Sequence, residues 1–204
     1  HPTGETPPVT VKTYTTELTI YKVDENGEIL LGAEFTLTGD SVITTIVKTT
    51  VYEVDAKGEY WKLKDGTYTK TAPVEDTANP ENDTTADYDS TTTKYTPTEK
   101  TETITKTETV SVKSYVDAEG KVTFSGLGAG TYTLKETDTP TGYNTMDDME
   151  IVISYNGNKE GDFSITKPTS GVNEIKIDGV EQNVFETTIV NYPGSVLPET
   201  GGIG

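Results

Sequence analysis

The sequence predicts an all-β protein: a two-sheet sandwich carrying a long insertion. Three observations lead there. Apolar and polar residues alternate along many short segments, the period-two signature of strands half buried in a sheet. Turn signals separate them, among them "DENG", "DAKG", "KDG", "DAEG", "YNGNKEG" and "KIDG". Helical periodicity is hard to find. Thr, which is β-branched and favours strands, supplies about a fifth of the 204 residues.

The elements follow in order. The opening "HPTGETPPVT" is rich in Pro and Thr, so residues 1–16 are expected to be a linker from a preceding domain. Strands are predicted for "ELTIYKVD", "AEFTLTG", "TVYEVD" and "EYWKLK". The stretch from "TAPVEDT" to "TPTEK" is Pro-, Asp- and Thr-rich and should be irregular. Further strands are predicted for "TITKTETVSVKSYVD", "KVTFSG", "GTYTLKET", "MEIVISY" and "NVFETTIVN". The sandwich thus spans 17–192, interrupted by the insertion at about 41–115. From Tyr192 onward Pro193, Gly194 and Pro198 should leave an extended, unpaired tail, 193–204. There is no internal repeat.

Composition narrows the function. There are 34 acidic residues against 16 basic ones, all Lys, for a net charge of -18. Such a chain should be repelled by nucleic acid and by anionic membrane surfaces. No apolar run is long enough to span a membrane. With no Cys, no disulfide can brace the fold. The single His is His1, and no phosphate loop or metal triad is present, so a conventional enzyme is not expected.

Three polar residues occupy core-facing positions. Residues two apart on a strand share a face. Leu18 and Ile20 share one with Lys22; Tyr132 and Leu134 share one with Glu136; Phe185 and Ile189 share one with Asn191. Glu34 points away from the Ala33, Phe35 and Leu37 face. Taken singly, each of the three reads as a strand-end residue whose tip reaches water. Together they form a chemical set. An amine beside a carboxamide can attack its carbonyl carbon, expel ammonia and leave an amide. Desolvation favours the neutral amine this needs, and disfavours the charged form of a carboxyl beside it. A protonated Glu136 could polarise the Asn191 carbonyl and relay the proton. Folding would supply the proximity, and the product would be a Lys22–Asn191 isopeptide bond.

Three segments, "LTIYKVDENGEILLGAEFTLTG", "VTFSGLGAGTYTLKETDTPTGYN" and "TTIVNYPGSVLPETGG", resemble Cna B-type domains of Gram-positive surface proteins. The resemblance is closest to the C-terminal domain of sortase-assembled major pilins, over roughly 18–40 and 115–204. "EYWKLKDGTYTKTAP" with the later "TTKYT" resembles the insertion in such pilins. The resemblance implies an inverse immunoglobulin-like sandwich with its first and last strands adjacent. It implies that Lys22 and Asn191 form the isopeptide bond and that Glu136 is the catalytic glutamate of the so-called E-box. It implies that Leu197, Pro198, Glu199, Thr200 and Gly201 are a sorting signal cut by sortase between Thr200 and Gly201. The expected partners are sortase, neighbouring pilin subunits and the peptidoglycan precursor, at the cell surface, with no cofactor. The pilin lysine motif resembling "VYPK" has no match, since "VYEVDAK" lacks the Pro. A stalk or ligand-binding module of a wall-anchored adhesin, contacting a host surface ligand, is therefore the alternative.

Other constellations read more plainly. Glu81, Asp83, Asp87 and Asp89 offer oxygen ligands without the spacing of a calcium loop. Solvated acidic surface is the simpler reading, with Asp83, Asp87 and Asp89 as weak metal candidates. Trp61 and Tyr60 read as packing rather than a sugar platform. Thr101, Thr103, Thr105, Thr107 and Thr109 read as one solvated strand face.

Overall fold

The computed structural model describes residues 1–157, 162–166, 175–180 and 184–194. Among these described residues there are twelve strands and two 3-10 turns, at Pro80–Asn82 and Thr85–Asp87. The chain divides into two compact units. One comprises Thr13–Thr44 and 105 onward, the other His1–Lys12 and Thr45–Ile104.

The first unit is the sandwich. One sheet has the order β11 (Ile175–Val180), β12 (Val184–Val190), β2 (Thr16–Val23), β7 (Lys121–Leu127). In the other, β3 (Glu34–Val54), β8 (Gly130–Asp138), β9 (Met149–Tyr155) and β10 (Phe163–Thr166) follow one another, and β6 (Tyr95–Tyr115) also pairs with β3. The predicted alternation is realised. β12 buries every second residue, and β2 buries Leu18, Ile20 and Lys22 on one face. Leu18, Ile20, Phe35, Leu37, Tyr132, Leu134, Ile151, Ile153 and Ile189 are at most 3% exposed. Burying side chains of this size contributes roughly 1.5–3 kcal/mol each, and this is the main force holding the sheets together. The fold is the all-β sandwich expected from the sequence. Its first and last strands, β2 and β12, pair in parallel, with Ile189 opposite Lys22 and Val190 opposite Val23.

The second unit has a smaller core. Ile46, Leu63, Thr69 and Tyr88 are buried. A two-stranded ladder of β4 (Trp61–Lys62) and β5 (Tyr68–Thr69) is joined by bridges Tyr60↔Tyr95, Leu63↔Tyr88 and Glu5↔Tyr68. Tyr52 stacks on Tyr68 at 4.0 Å and meets Tyr60 edge-on at 5.0 Å.

Several elements differ from the sequence expectation. The N-terminal stretch read as a linker carries β1 (Val9–Tyr14), which pairs with β3. Val9 and Val11 are 60% and 63% exposed, so nothing in the segment advertised a core face. "AEFTLTG" and "TVYEVD" belong to one 21-residue strand, β3. Within it Gly39 allows close approach to β8; a Cβ there would meet the Thr131 carbonyl oxygen at 2.6 Å. "EYWKLK" narrows to the two residues of β4. The chain also stays paired past Tyr192. Pro193 bridges to Tyr143, and the Gly194 amide donates to the Gly142 carbonyl at 2.8 Å. Residues 197–201, read from the sequence as a sorting signal, lie outside the described residues.

Candidate functional site

Lys22, Glu136 and Asn191 meet at one end of the sandwich core. They are 1%, 6% and 0% exposed, a degree of burial that charged side chains rarely reach. Local structure brings each one in. The Lys22 amide donates to the Gly120 carbonyl at 2.7 Å, which ties β2 to the turn before β7. Asp24 Oδ1 accepts the amides of Asn26 and Glu28 and so shapes the turn that follows. Glu136 pairs with Phe35 across the β8–β3 ladder. Asn191 directly follows β12, and its amide donates to the Val23 carbonyl at 3.1 Å.

That Val23 carbonyl also accepts the Lys22 ammonium, Nζ to O 3.0 Å. The side chain of the first strand and the backbone of the last residue therefore converge on one oxygen. Lys22 Nζ donates further to Ile189 O at 3.3 Å. Both acceptors are main-chain carbonyls, and burial pushes the Lys22 pKa from 10.5 down to about 8, against the opposing pull of Glu136 and Asp24. Near neutral pH an appreciable fraction of the amine is thus uncharged and nucleophilic.

The Asn191 carboxamide is held by two acceptors. Its Nδ2 donates to Glu136 Oε1 at 3.1 Å and to the Asn144 main-chain carbonyl at 3.0 Å. A carbonyl only accepts, so Asn144 fixes which way the amide faces. The sequence reading had Glu136 polarising the Asn191 oxygen; the structure turns Glu136 toward the carboxamide nitrogen instead. The hydrogen-bond load on Glu136 is one-sided. Oε1 accepts from Asn191 Nδ2, from the Met146 amide at 3.1 Å and from Thr139 Oγ1 at 3.2 Å. Oε2 is buried without a partner, and so is Asn191 Oδ1. An unpartnered buried oxygen on a carboxyl costs free energy.

The Asn144 carbonyl, the Met146 amide and Thr139 escaped the sequence reading. Two of the three contacts are made by main-chain groups, which no side-chain pattern reveals. The only available signal was "TPTGYN" following β8, a turn whose Gly lies close to the predicted glutamate.

The weak metal candidates are not gathered. Asp83 accepts the amide and hydroxyl of Thr85, at 2.9 and 2.6 Å, which holds its pKa below the usual carboxylate value. Asp87 pairs with His1 at 2.8 Å. Among the described residues no group of three or more His, Cys, Asp or Glu is placed to hold a metal. Trp61 packs beneath Lys94, whose Nζ lies 5.4 Å from the ring centroid.

Part of this chain is similar to the prealbumin-like class. A family model described as "SpaA: Prealbumin-like fold domain" matches residues 84–168, a span that includes Glu136 but neither Lys22 nor Asn191. No curated protein matches. Solved structures similar to the chain include the pilus adhesin SpaC from Lactobacillus rhamnosus GG in an open conformation. It is 17% identical with a TM-score of 0.43, over 91% of this chain and 15% of that one. The shaft pilin SpaA from the same organism is 18% identical with a TM-score of 0.37, over 90% and 49%. The group B streptococcus pilus 2b backbone protein is 18% identical with a TM-score of 0.38, over 89% and 42%. The chain spans less than half the length of each.

Proposed function

We propose that this chain is a covalently braced structural domain of a surface fibre: the C-terminal part of a backbone pilin on a Gram-positive cell wall. The observation that carries the reading is the burial of Lys22, Glu136 and Asn191 together where the first and last strands pair. The pilin-like fold and the resemblance of the C-terminal sequence to a sorting signal support it.

The geometry supports the following chemistry. The neutral Lys22 amine attacks Asn191 Cγ. The C–N bond to Nδ2 breaks, and Nδ2 departs as ammonia. The proton lost by the amine reaches the leaving nitrogen through Glu136, whose Oε1 already faces Nδ2. Nothing is oxidised or reduced, and one amide replaces another. Outside the domain, a sortase would take the Thr200 carbonyl as a thioester. An amine of a neighbouring subunit or of the peptidoglycan precursor would then release it.

Intact mass tests the first half. The purified protein should be lighter than its sequence by one ammonia, and Glu136→Ala should restore the full mass while keeping the fold. A full-mass wild-type protein excludes the cross-link. Transpeptidation by a class-matched sortase tests the second half: Thr200→Ala must abolish the product.

A further inference from the structure

The loop 139–146 touches every part of the site except Lys22, and it also holds the exit of the chain. Thr139 Oγ1 and the Met146 amide bond to Glu136 Oε1. The Asn144 carbonyl accepts the Asn191 leaving nitrogen. On its other side, the Asn144 amide donates to the Tyr192 carbonyl at 2.9 Å, and Asn144 Nδ2 reaches the Pro193 carbonyl at 3.4 Å. The Gly194 amide donates to the Gly142 carbonyl at 2.8 Å. The loop is shaped by a turn in which the Tyr143 amide returns to the Pro140 carbonyl, with Gly142 at φ +90°. That is the position of a type II turn which only Gly occupies without strain.

We propose that this loop is a latch. Docking of Pro193 and Gly194 on residues 142–144 sets the Asn144 carbonyl, and the carbonyl in turn sets the orientation of the Asn191 carboxamide for attack. The first residues of the tail are thus positioning residues for the cross-link, not merely a tether to the sorting signal. This rests on the cross-linking reading above and deepens it. The peptide unit of Asn144 carries the coupling, because its amide and side chain hold the tail while its carbonyl holds the leaving group. Small misplacements of a reacting group are costly to rate, so two paired residues outside the reacting trio can control it.

The test follows ammonia loss by mass spectrometry after a short pulse of cell-free synthesis. Chains ending at residue 194, at residue 192 and at Gly204 are compared across pH. The chain ending at 194 should react at the full-length rate. The chain ending at 192 should react slower by about tenfold or more, with the midpoint of its pH profile still near 8, because the surroundings of Lys22 are untouched. Gly142→Ala, which strains the turn without a steric clash, should show the same slowing in the full-length chain and serves where the shortest chain does not fold. Equal rates for the chains ending at 192 and 194, or for Gly142→Ala and wild type, overturn the latch. So does a slowed reaction whose midpoint climbs toward the ordinary Lys value, since that reports general loosening of the core. If the full-length protein itself never loses ammonia, the cross-linking reading fails, and this outcome is distinct from failure of the latch.

Discussion

The two units handle buried polarity in opposite ways. In the unit formed by His1–Lys12 and Thr45–Ile104, carboxylates sit at the surface and bond to their own turns. Asp55 Oδ1 accepts the Lys57 amide, Asp65 Oδ1 the Thr67 amide, and Asp83 Oδ1 the Thr85 amide. These local bonds lower the pKa of all three. In the sandwich unit an amine, a carboxyl and a carboxamide are driven into the core. Among the described residues, all four buried side-chain atoms without a partner lie there: Glu136 Oε2, Asn191 Oδ1, Thr187 Oγ1 and Tyr155 OH. Unmet buried polar atoms weaken a fold. Burying Glu136 Oε2 and Asn191 Oδ1 gives up stability, which the proposed bond would return.

The largest test of that contrast is to remove the amine. The proposed cross-link closes a loop over nearly the whole sandwich sequence. By the chain-entropy estimate made for disulfides, so long a loop is worth about 5 kcal/mol. Lys22→Ala should therefore lower the melting temperature by roughly 10–20 °C, read by calorimetry, and restore the full mass. An unchanged melting temperature would remove the bracing role.

The smaller unit should break by itself. Gly58 is buried, and a Cβ there would meet the Tyr95 backbone, its carbonyl oxygen at 2.4 Å. Backbone cannot step aside as a side chain does, so Gly58→Ala should cost about 1–3 kcal/mol or more and open Thr45–Ile104 to limited proteolysis. Ammonia loss should proceed as in wild type. A variant that no longer cross-links would show that the two units do not fold independently.

The pH dependence sharpens the chemistry. Burial depresses Lys22 to about 8, and only the neutral amine attacks. The rate of ammonia loss should rise by about tenfold per pH unit in the acidic range and flatten above about pH 8. A rate still climbing steadily toward the ordinary Lys value of 10.5 would mean that the amine is solvated when it reacts.

Much of this was legible because β-strands write their burial in steps of two. Lys22, Glu136 and Asn191 stood out since Leu18, Ile20, Tyr132, Leu134, Phe185 and Ile189 marked their faces as inward. The same rule gave no sign of β1, which exposes both of its valines, or of the start of β6, Tyr95–Lys100, which fell in the stretch expected to be irregular. For the second unit, the core residues Leu63 and Tyr88 lie 25 positions apart in a polar sequence, so no window of alternation contains both. The orientation of the Asn191 carboxamide was illegible because a main-chain carbonyl sets it.

The smallest expected effect separates useful buried polarity from incidental burial. Thr187 lies between Phe185 and Ile189 on the core face of β12, 2% exposed, and its hydroxyl has no partner. It shares a face with Asn191 but takes no part in the hydrogen bonds of Lys22, Glu136 and Asn191 described above. If unmatched polarity in this core serves the reaction, Thr187 should matter to the rate; if only the trio does chemistry, Thr187 is a plain cost. The geometry favours the second outcome. Thr187→Val keeps the shape and removes the orphaned hydroxyl, so it should stabilise the sandwich by about 1 kcal/mol while leaving ammonia loss unchanged. Thr19 is the control. It is also buried, but its hydroxyl meets that of Thr123 at 3.0 Å. Thr19→Val should cost about 0.5–1.5 kcal/mol, the net worth of one such bond, plus any penalty for leaving Thr123 unpaired. Chemical denaturation of both variants in a Lys22→Ala background would compare them free of the cross-link. If Thr187→Val proves destabilising there, its hydroxyl has a partner in solution, and the sandwich core is less dry than its geometry indicates.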